Sequence, residues 1–382
     1  MARTLILWNQ IDEDIYEIYR RDGVRGPDWD PTLTFEPWDS LEDEMQLIVR
    51  SLEEGGHTVT VVNVRDTFHV LLDAIDREKP DVVMNLVEFF HNDPEQEHHV
   101  PAIFELLNMP YTGNRPLSLS MCQKKPQAKA LMTAAGVRVP RGMLIDLGQP
   151  GATFPAKVEL RYPMIVKPAF DDASCGIDTG SVVHDRAALE ARVMRMWRDH
   201  KMASLVEEYI EGREIHCAIL GDKPLPLYEM QFMGGVDEDN RPLPHIITYK
   251  AKWDPYSRDH HAIEGRCPVP DLEPETVAHI EQTALAAYRA LTCRDYARVD
   301  MRLVPETGEV FVLEVNPNPD LADSCAFAAS ARASGRTYGQ MIREILDMAL
   351  ARAVAPKVDR KGFDTLLTDY LENKKKRAAG EE

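Results

Sequence analysis

The sequence predicts an α/β protein whose first third is built around a parallel sheet. Three observations carry this reading. From Thr4 to Leu107, short β-branched runs alternate with helical periods, a rhythm that places helices on the faces of a parallel sheet. A chain of 382 residues exceeds one ordinary core and calls for two or three domains. Farther on, two apolar runs joined by Pro305-Glu306-Thr307-Gly308 carry polar residues in alternation, as expected of paired strands with one polar face.

Taken in order, Thr4–Trp8 reads as a buried strand. Leu41–Glu54 has helical periodicity and stops at Gly55-Gly56, a good C-terminal signal. His57–Val64 is a β-branched strand, Val70–Glu78 a helix and Asp81–Val87 another strand. Val100–Leu107 is a helix, followed by a turn at Pro110-Tyr111-Thr112-Gly113. Between Glu13 and Ser40 a polar stretch with Pro and Trp has no period; it reads as a loop over a site or as a surface insertion. A helix from Lys124 to Ala135 ends at Gly136. Strands are expected at Tyr162–Lys167 and Gly180–Val183, a helix at Arg186–His200, and strands at Leu205–Glu208 and Glu214–Leu220. The stretch from Glu229 to Gly265 is polar and rich in Gly, Pro, Asp and His, the composition of a long functional loop such as a lid. A helix at Pro274–Leu291, strands at Tyr296–Val304 and Glu309–Val315, and a helix at Tyr338–Arg352 complete the pattern. The rest is polar, with one amphipathic stretch near Phe363–Leu371.

Charge narrows the function. The formal net charge is −19, and so acidic a surface repels phosphate backbones, which argues against nucleic acid as a partner. A phosphate-bearing ligand would have to be held by a few placed cations and by metal ions. No apolar run is long enough to span a bilayer. The opening Met1-Ala2-Arg3-Thr4 is too soon polar for a signal peptide. Six scattered cysteines without a CxxC pair read as reduced thiols of a cytoplasmic protein. The basic run Lys374-Lys375-Lys376-Arg377 reads as a solvated tail.

The chemistry is concentrated in Arg298-Val299-Asp300-Met301-Arg302 and Glu314-Val315-Asn316-Pro317-Asn318. Residues two apart on a strand share a face, so Arg298, Asp300 and Arg302 point one way, and so do Glu314 and Asn316. A short turn between the strands makes them antiparallel neighbours. Asp300, Glu314 and Asn316 then meet as hard oxygen donors suited to magnesium, with manganese a possible substitute. An alternating hairpin is common on its own; the pairing of Glu-x-Asn-Pro with Arg-x-Asp is much more specific. Lys167 ends the apolar strand Ile165-Val166-Lys167-Pro168 and precedes a small-residue loop, Ser174-Cys175-Gly176, which suits phosphate.

With these motifs in order from Asn85 to Leu350, the chain resembles the ATP-grasp enzymes, most closely the D-alanine–D-alanine ligases. The resemblance implies a Rossmann-like N-terminal domain over residues 1–115, then the two lobes of an α+β ATP-grasp fold at 116–204 and 205–355. A mobile loop is expected near 231–265 and a polar tail over 356–382. It implies ATP and magnesium as cofactors, with Asp300, Glu314 and Asn316 as metal ligands. Lys125 (with Lys124 beside it), Lys167 and Gly176 would address the phosphates. Within Leu205-Val206-Glu207-Glu208-Tyr209-Ile210-Glu211-Gly212-Arg213-Glu214, Glu207 would accept from the adenine amine. Tyr209 and Ile210 would face the ring edge through their backbone, and Glu214 would bind the ribose. Arg298, Lys252 and Ser174 are the implied catalytic residues, with Arg298 at the reacting carboxyl and Lys252 at the γ-phosphate. The implied partners are a small-molecule carboxylate and an amine, with no nucleic acid or membrane; a homodimer is compatible with this.

The amino-acid side departs from the family pattern. The N-terminal glycine-rich segment and its glutamate are missing; Trp8-Asn9-Gln10-Ile11-Asp12-Glu13-Asp14 stands there. Ala173 replaces a loop serine, Trp253 a lid tyrosine, and Asn318-Pro319-Asp320 a Ser-Pro-Gly turn. A substrate-binding serine aligns near Cys325, with Ser324 adjacent. The expectation is therefore an ADP-forming carboxylate–amine ligase working through an acyl phosphate, on amino acids or peptides other than two D-alanines. A non-catalytic nucleotide-binding regulator of the same fold and a true D-alanine–D-alanine ligase stay open as alternatives. A bicarbonate-using carboxylase is disfavoured, because no biotin-carrier lysine motif is evident.

Overall fold

The computed structural model describes residues 1–10, 26–30, 32–33, 41–91, 93–171 and 173–354. Most of the 13–40 stretch, the amphipathic run near Phe363 and the basic run at Lys374 lie outside these residues. Three sheets organise the chain. The first is three-stranded and parallel, in the order β2-β1-β3, with β1 at Arg3–Trp8, β2 at Thr58–Asn63 and β3 at Val82–Leu86. Helices α1 (Leu41–Glu54) and α2 (Phe68–Glu78) make the crossovers. Helix α1 buries Met45, Ile48 and Leu52, places Glu42, Asp43 and Glu44 in its first turn where the helix dipole favours them, and stops at Gly56, φ +83°.

After α3 (His99–Leu106) come two helices in series, α4 (Pro116–Gln123) and α5 (Lys125–Ala134). The sequence reading anticipated α5 but not α4, whose polar serines weaken its period. The second sheet is antiparallel and four-stranded, in the order β4-β7-β5-β6. It contains β4 (Gly142–Ile145), β5 (Met164–Pro168), β6 (Val182–Val183) and β7 (Ser204–Glu208), backed by α6 (Arg186–His200). The strand expected at Gly180–Val183 is shorter. Asp178 caps a single 3-10 turn over Thr179–Ser181, accepting from the N–H of Gly180, and this consumes the residues before Val182.

The third sheet is the largest. Its path runs β11-β10-β8-β12-β13, with β9 paired to β8. The strands are β8 (Arg213–Leu220), β9 (Lys223–Pro224), β10 (Tyr228–Phe232), β11 (Ile263–Arg266), β12 (Tyr296–Val304) and β13 (Glu309–Asn316). Between β10 and β11 lie short helices α7 (Tyr249–Trp253) and α8 (Arg258–His261); the expected lid thus begins and ends as sheet. Helix α9 (Pro274–Ala290) packs on the apolar face through Ile280, Ala284 and Ala287, together with Met132 and Ala128 of α5. Helices α10 (Ala326–Ala333) and α11 (Tyr338–Val354) share one core with the first sheet. Phe327, Ile342, Ile345 and Leu346 meet Ile6, Ile48, Leu52 and Met84, fastening the N-terminal sheet to the C-terminal lobe.

One irregularity positions the polar face of this sheet. Arg298 pairs with Asn316 and Asp300 with Glu314, but Met301 pairs with Val312, so Leu313 is an extra residue in β13. Unbroken alternation would put Glu314 on the face of Val310 and Val312, which is the packed core. The bulge resets the phase: Val315 joins that core, and Glu314 and Asn316 turn to the polar side.

The chain enters β8 through Gly212, whose φ is +152° and where a Cβ would lie 2.3 Å from the Leu303 carbonyl oxygen. The Gly212 carbonyl also accepts from Arg302. Gly212→Ala should therefore cost about 3 kcal/mol of stability, combining strain with overpacking against backbone. The check is the urea midpoint, which should fall at unchanged m-value.

Candidate active site

The polar face of the third sheet presents cross-strand rows of polar side chains. One row runs Tyr228 on β10, His216 on β8, Asp300 on β12 and Glu314 on β13. On one side of it, Ala218, Arg298 and Asn316 line up. On the other, Glu214 faces Arg302. Short side chains at Ala218 leave room for the Arg298 guanidinium beside its own strand neighbour. Arg298 Nε and Nη2 donate to Asp300 Oδ1 and Oδ2 at 2.7 and 2.8 Å, and Asn316 Nδ2 donates to Oδ2 at 2.8 Å. Burial alone would push the Asp300 carboxyl up, but the Arg298 charge and these hydrogen bonds outweigh it and hold the pKa below its ordinary value. Arg298 is correspondingly raised, burial being outweighed by Asp300.

Asp300 and Glu314 can both ligate a hard cation. Asn316 can turn its amide so that Oδ1, not Nδ2, meets the metal, since the two orientations fill the same space. Among the described residues no group of three His, Cys, Asp or Glu side chains could by itself hold a metal ion. The donor set is two carboxylates and an amide, which fits an ion that completes its shell with water or phosphate oxygens, as magnesium does.

Across from this face stand the lysines. Lys125, at the start of α5, is buried, and its ammonium lies 3.8 Å from Glu314 Oε2 while donating to the Asp171 carbonyl. Lys124 is exposed, so the helix start turns Lys125, not its neighbour, inward. Lys167 is delivered by β5 to Glu207 on β7, Nζ to Oε2 2.6 Å. Lys129, one helical turn after Lys125, reaches the other oxygen of Glu207 at 2.7 Å. These contacts are close but poorly aligned as hydrogen bonds, so charge more than direction holds the triad. Burial raises the Glu207 carboxyl, yet the two ammonium groups outweigh it and leave it low. For Lys167, burial is overcome by Glu207 and Glu314 and the pKa rises. For Lys129 burial prevails, helped by the Lys167 charge, and the pKa falls to about 8.

Glu214 is buried between Arg302, which pairs with it in charge through Nη2 at 2.8 Å, and His216, whose Nε2 donates to it at 3.3 Å. Burial would raise its pKa, and Arg302 with His216 brings it below the ordinary value. The Tyr209 N–H is spent on the Pro163 carbonyl, and its hydroxyl donates to the His245 carbonyl at 3.2 Å. Tyr209 can therefore address a ring edge through its carbonyl, not its N–H; Ile210 follows it as β7 ends.

Ser174 and Gly176 lie on the loop after β5, and Lys252 on α7. Ala173, Ser174 and Gly176 all have left-handed backbones, φ +51°, +61° and +65°, a strain that tends to gather at ligand-binding loops. Gly176 lends its carbonyl to Arg192 at 2.6 Å. Lys252 on α7 is exposed, its ammonium 5.0 Å over the Trp253 ring. The lid is docked on the small-residue loop: Trp253 Nε1 donates to the Ala173 carbonyl at 3.0 Å and the Tyr249 N–H to the Ile177 carbonyl at 2.8 Å. Trp29 straps it from outside, donating to the Tyr256 carbonyl at 2.7 Å, with Arg258 5.0 Å over its ring.

Sequence reasoning did not single out Lys129 and His216. Both had a signal. Lys129 follows Lys125 by four residues on a helix, and His216 follows Glu214 by two on a strand, so each shares a face with a residue already chosen.

Two measurements test this geometry. Glu207→Gln removes the nearest counter-charge of two buried ammonium groups and should lower the unfolding free energy by about 3–5 kcal/mol. Adding Lys129→Met should recover part of that loss in the same urea titration. Trp253→Phe keeps the ring and removes the donor; amide exchange over Tyr249–His261 should then speed up while exchange in β12 stays as in the parent.

Comparison with known proteins identifies the family. The family model described as D-ala D-ala ligase C-terminus matches residues 148–347, more than half of the chain. A protein of Sinorhizobium fredii, uncharacterized protein y4sG, is 33% identical over 318 residues, covering 80% of this chain and 87% of the relative. The D-alanine–D-alanine ligase of Methylobacterium radiotolerans is 28% identical over 304 residues, covering 78% and 90%. The crystal structure of the Bacillus anthracis D-alanine–D-alanine ligase complexed with ATP superposes with a TM-score of 0.67 at 20% identity, covering 92% of this chain and 99% of that one. The chain belongs to the D-alanine–D-alanine ligase family and is an ATP-grasp ligase.

Proposed function

We propose that the protein is an ADP-forming carboxylate–amine ligase that uses ATP and magnesium, and that its substrates are an amino acid or peptide pair other than two D-alanines. The observation that carries the reaction type is the polar face on which Asp300, Glu314, Asn316 and Arg298 meet opposite Lys125 and Lys167.

A carboxylate resists attack by an amine because oxide is its leaving group. Transfer of the γ-phosphoryl from ATP to a carboxylate oxygen releases ADP and leaves an acyl phosphate. The amine attacks its carbonyl carbon, the C–N bond forms with loss of an amine proton, and phosphate departs. Lys125 and Lys167 offset the phosphate charge, and Glu214 and the Tyr209–Ile210 backbone hold the nucleoside. Asp300, Glu314 and Asn316 would hold magnesium, which neutralises charge on the transferring group. Arg298 is poised for the oxyanion of the tetrahedral intermediate, once Asp300 turns to a cation and frees its guanidinium. Ser174 and Gly176 cover the phosphates, and Lys252 reaches the γ-phosphate when the lid carries it inward, excluding water from the acyl phosphate.

The altered substrate rests on the loops. The Cys325 thiol donates to Asp320 Oδ2 at 3.0 Å, so a carboxylate and a neutral thiol stand where the family resemblance implies small hydroxyl and glycine residues. Asn318 reaches Glu97 at 3.1 Å, bringing the segment after Glu88-Phe89-Phe90-His91 against this loop. A second reading, a nucleotide-binding regulator without turnover, is favoured by Lys252 lying over Trp253.

The test is ADP and phosphate release over a panel of amino acids of both chiralities and short peptides, with product mass as the readout. Asp300→Asn and Glu314→Gln should lose turnover on the order of a hundredfold or more, the scale seen when one group stabilising transition-state charge is removed. Equal turnover in parent and variants would remove the assigned site. Retained ADP–magnesium binding with no turnover on any pair would favour the regulator.

A further inference from the structure

His216 has no role in the reaction as derived, yet it occupies the middle of the polar face. It is 3% exposed. Its Nε2 is 3.3 Å from Glu214 Oε1 and 3.8 Å from Asp300 Oδ1. Its ring lies parallel to Tyr228, with centroids 6.2 Å apart and planes 18° apart. Nδ1 is buried and has no hydrogen-bond partner. Arg302, Glu214, His216, Asp300 and Arg298 thus follow one another across β8 and β12, with ion pairs at both ends, a hydrogen bond from His216 to Glu214, and the same ring nitrogen 3.8 Å from Asp300.

Resting on the ligase reading, we propose that His216 is a positioning residue that couples the nucleoside carboxylate Glu214 to the metal carboxylate Asp300. Nε2 faces two carboxylate oxygens and carries the proton. Nδ1 keeps a bare lone pair, which costs less to bury than an unpaired N–H. A side chain placed there only to fill the sheet would be better apolar, because an unpartnered buried ring nitrogen destabilises the fold. The imidazole instead places one N–H between two like charges, each anchored by its own arginine; that N–H is hydrogen-bonded to Glu214, and its nitrogen lies 3.8 Å from Asp300. It thereby fixes the distance from the ribose site to the metal site, which the length of a nucleotide must match. Groups that orient a metal-binding side chain without touching the metal commonly change metal affinity by about 10–100-fold when removed.

The experiment measures the gain in ADP affinity that magnesium confers, by calorimetry with and without magnesium chloride, on the full chain. Parent, His216→Phe and His216→Gln are compared, with thermal midpoints recorded for each. The gain should fall by about tenfold or more in His216→Phe. His216→Gln, whose amide N–H can return to the two carboxylates, should recover most of it. An unchanged gain in His216→Phe would overturn the assignment, and so would a Gln variant no better than Phe at equal thermal midpoint. A parent that binds no ADP with magnesium would overturn the ligase reading and this assignment together. A parent that binds, with an unmoved His216→Phe, would overturn this assignment alone.

Discussion

The pairing of β12 with β13 is the constraint on which the rest of the site depends. Asp300 and Glu314 can share a face only because β13 carries one residue more than its partner needs. Val310, Val312 and Val315 are all in the core, and no unbroken strand puts residues 312 and 315 on one side. The core supplies the driving force: these side chains pack with Val299, Met301 and α9, and Glu314 follows to the other face. The carboxylates are therefore brought together by the burial of valines behind them. Their own mutual repulsion would drive them apart.

Charge is the second constraint. A chain with a net charge of −19 has few cations to spare, and those near the site are committed in specific pairs. Arg298 serves Asp300, Arg302 serves Glu214, and Lys129 and Lys167 divide Glu207. Each buried carboxylate stays ionised because its neutralising partner is buried with it, where screening by water and salt is weak. The arrangement keeps the Asp300, Glu207 and Glu214 carboxylates ionised, and it makes each partner costly to remove singly.

Strand-borne parts of this site were legible in the sequence, and loop-borne parts were legible only in outline. Alternation announced Asp300, Glu314 and Asn316, and an apolar strand announced Lys167, because strand geometry fixes which side chains share a face. The same rule would have added His216, and helix periodicity would have added Lys129. The bulge at Leu313 had only a faint signal, the doublet Val312-Leu313. Helix α4 and the strands at either end of the lid were missed because their periods are short and polar. The docking of Trp253 on Ala173 and of Trp29 on Tyr256 involves carbonyl acceptors, and a carbonyl leaves no mark on a sequence.

On the proposed reading, this division also explains why the residues assigned to the nucleotide follow the family resemblance while those assigned to the amino-acid side depart from it. Residues on β8, β12 and β13 are locked twice, by ladder hydrogen bonds to neighbouring strands and by a core that tolerates little change behind them. Asp320, Cys325, Glu97 and Asn318 stand on segments whose contacts are largely side-chain contacts to one another. A substitution there repositions a few polar groups and leaves the sheet unaffected. On that reading the reaction type is written into paired strands, and the choice of amine and carboxylate into loops that can change without disturbing the Asp300 and Glu314 carboxylates.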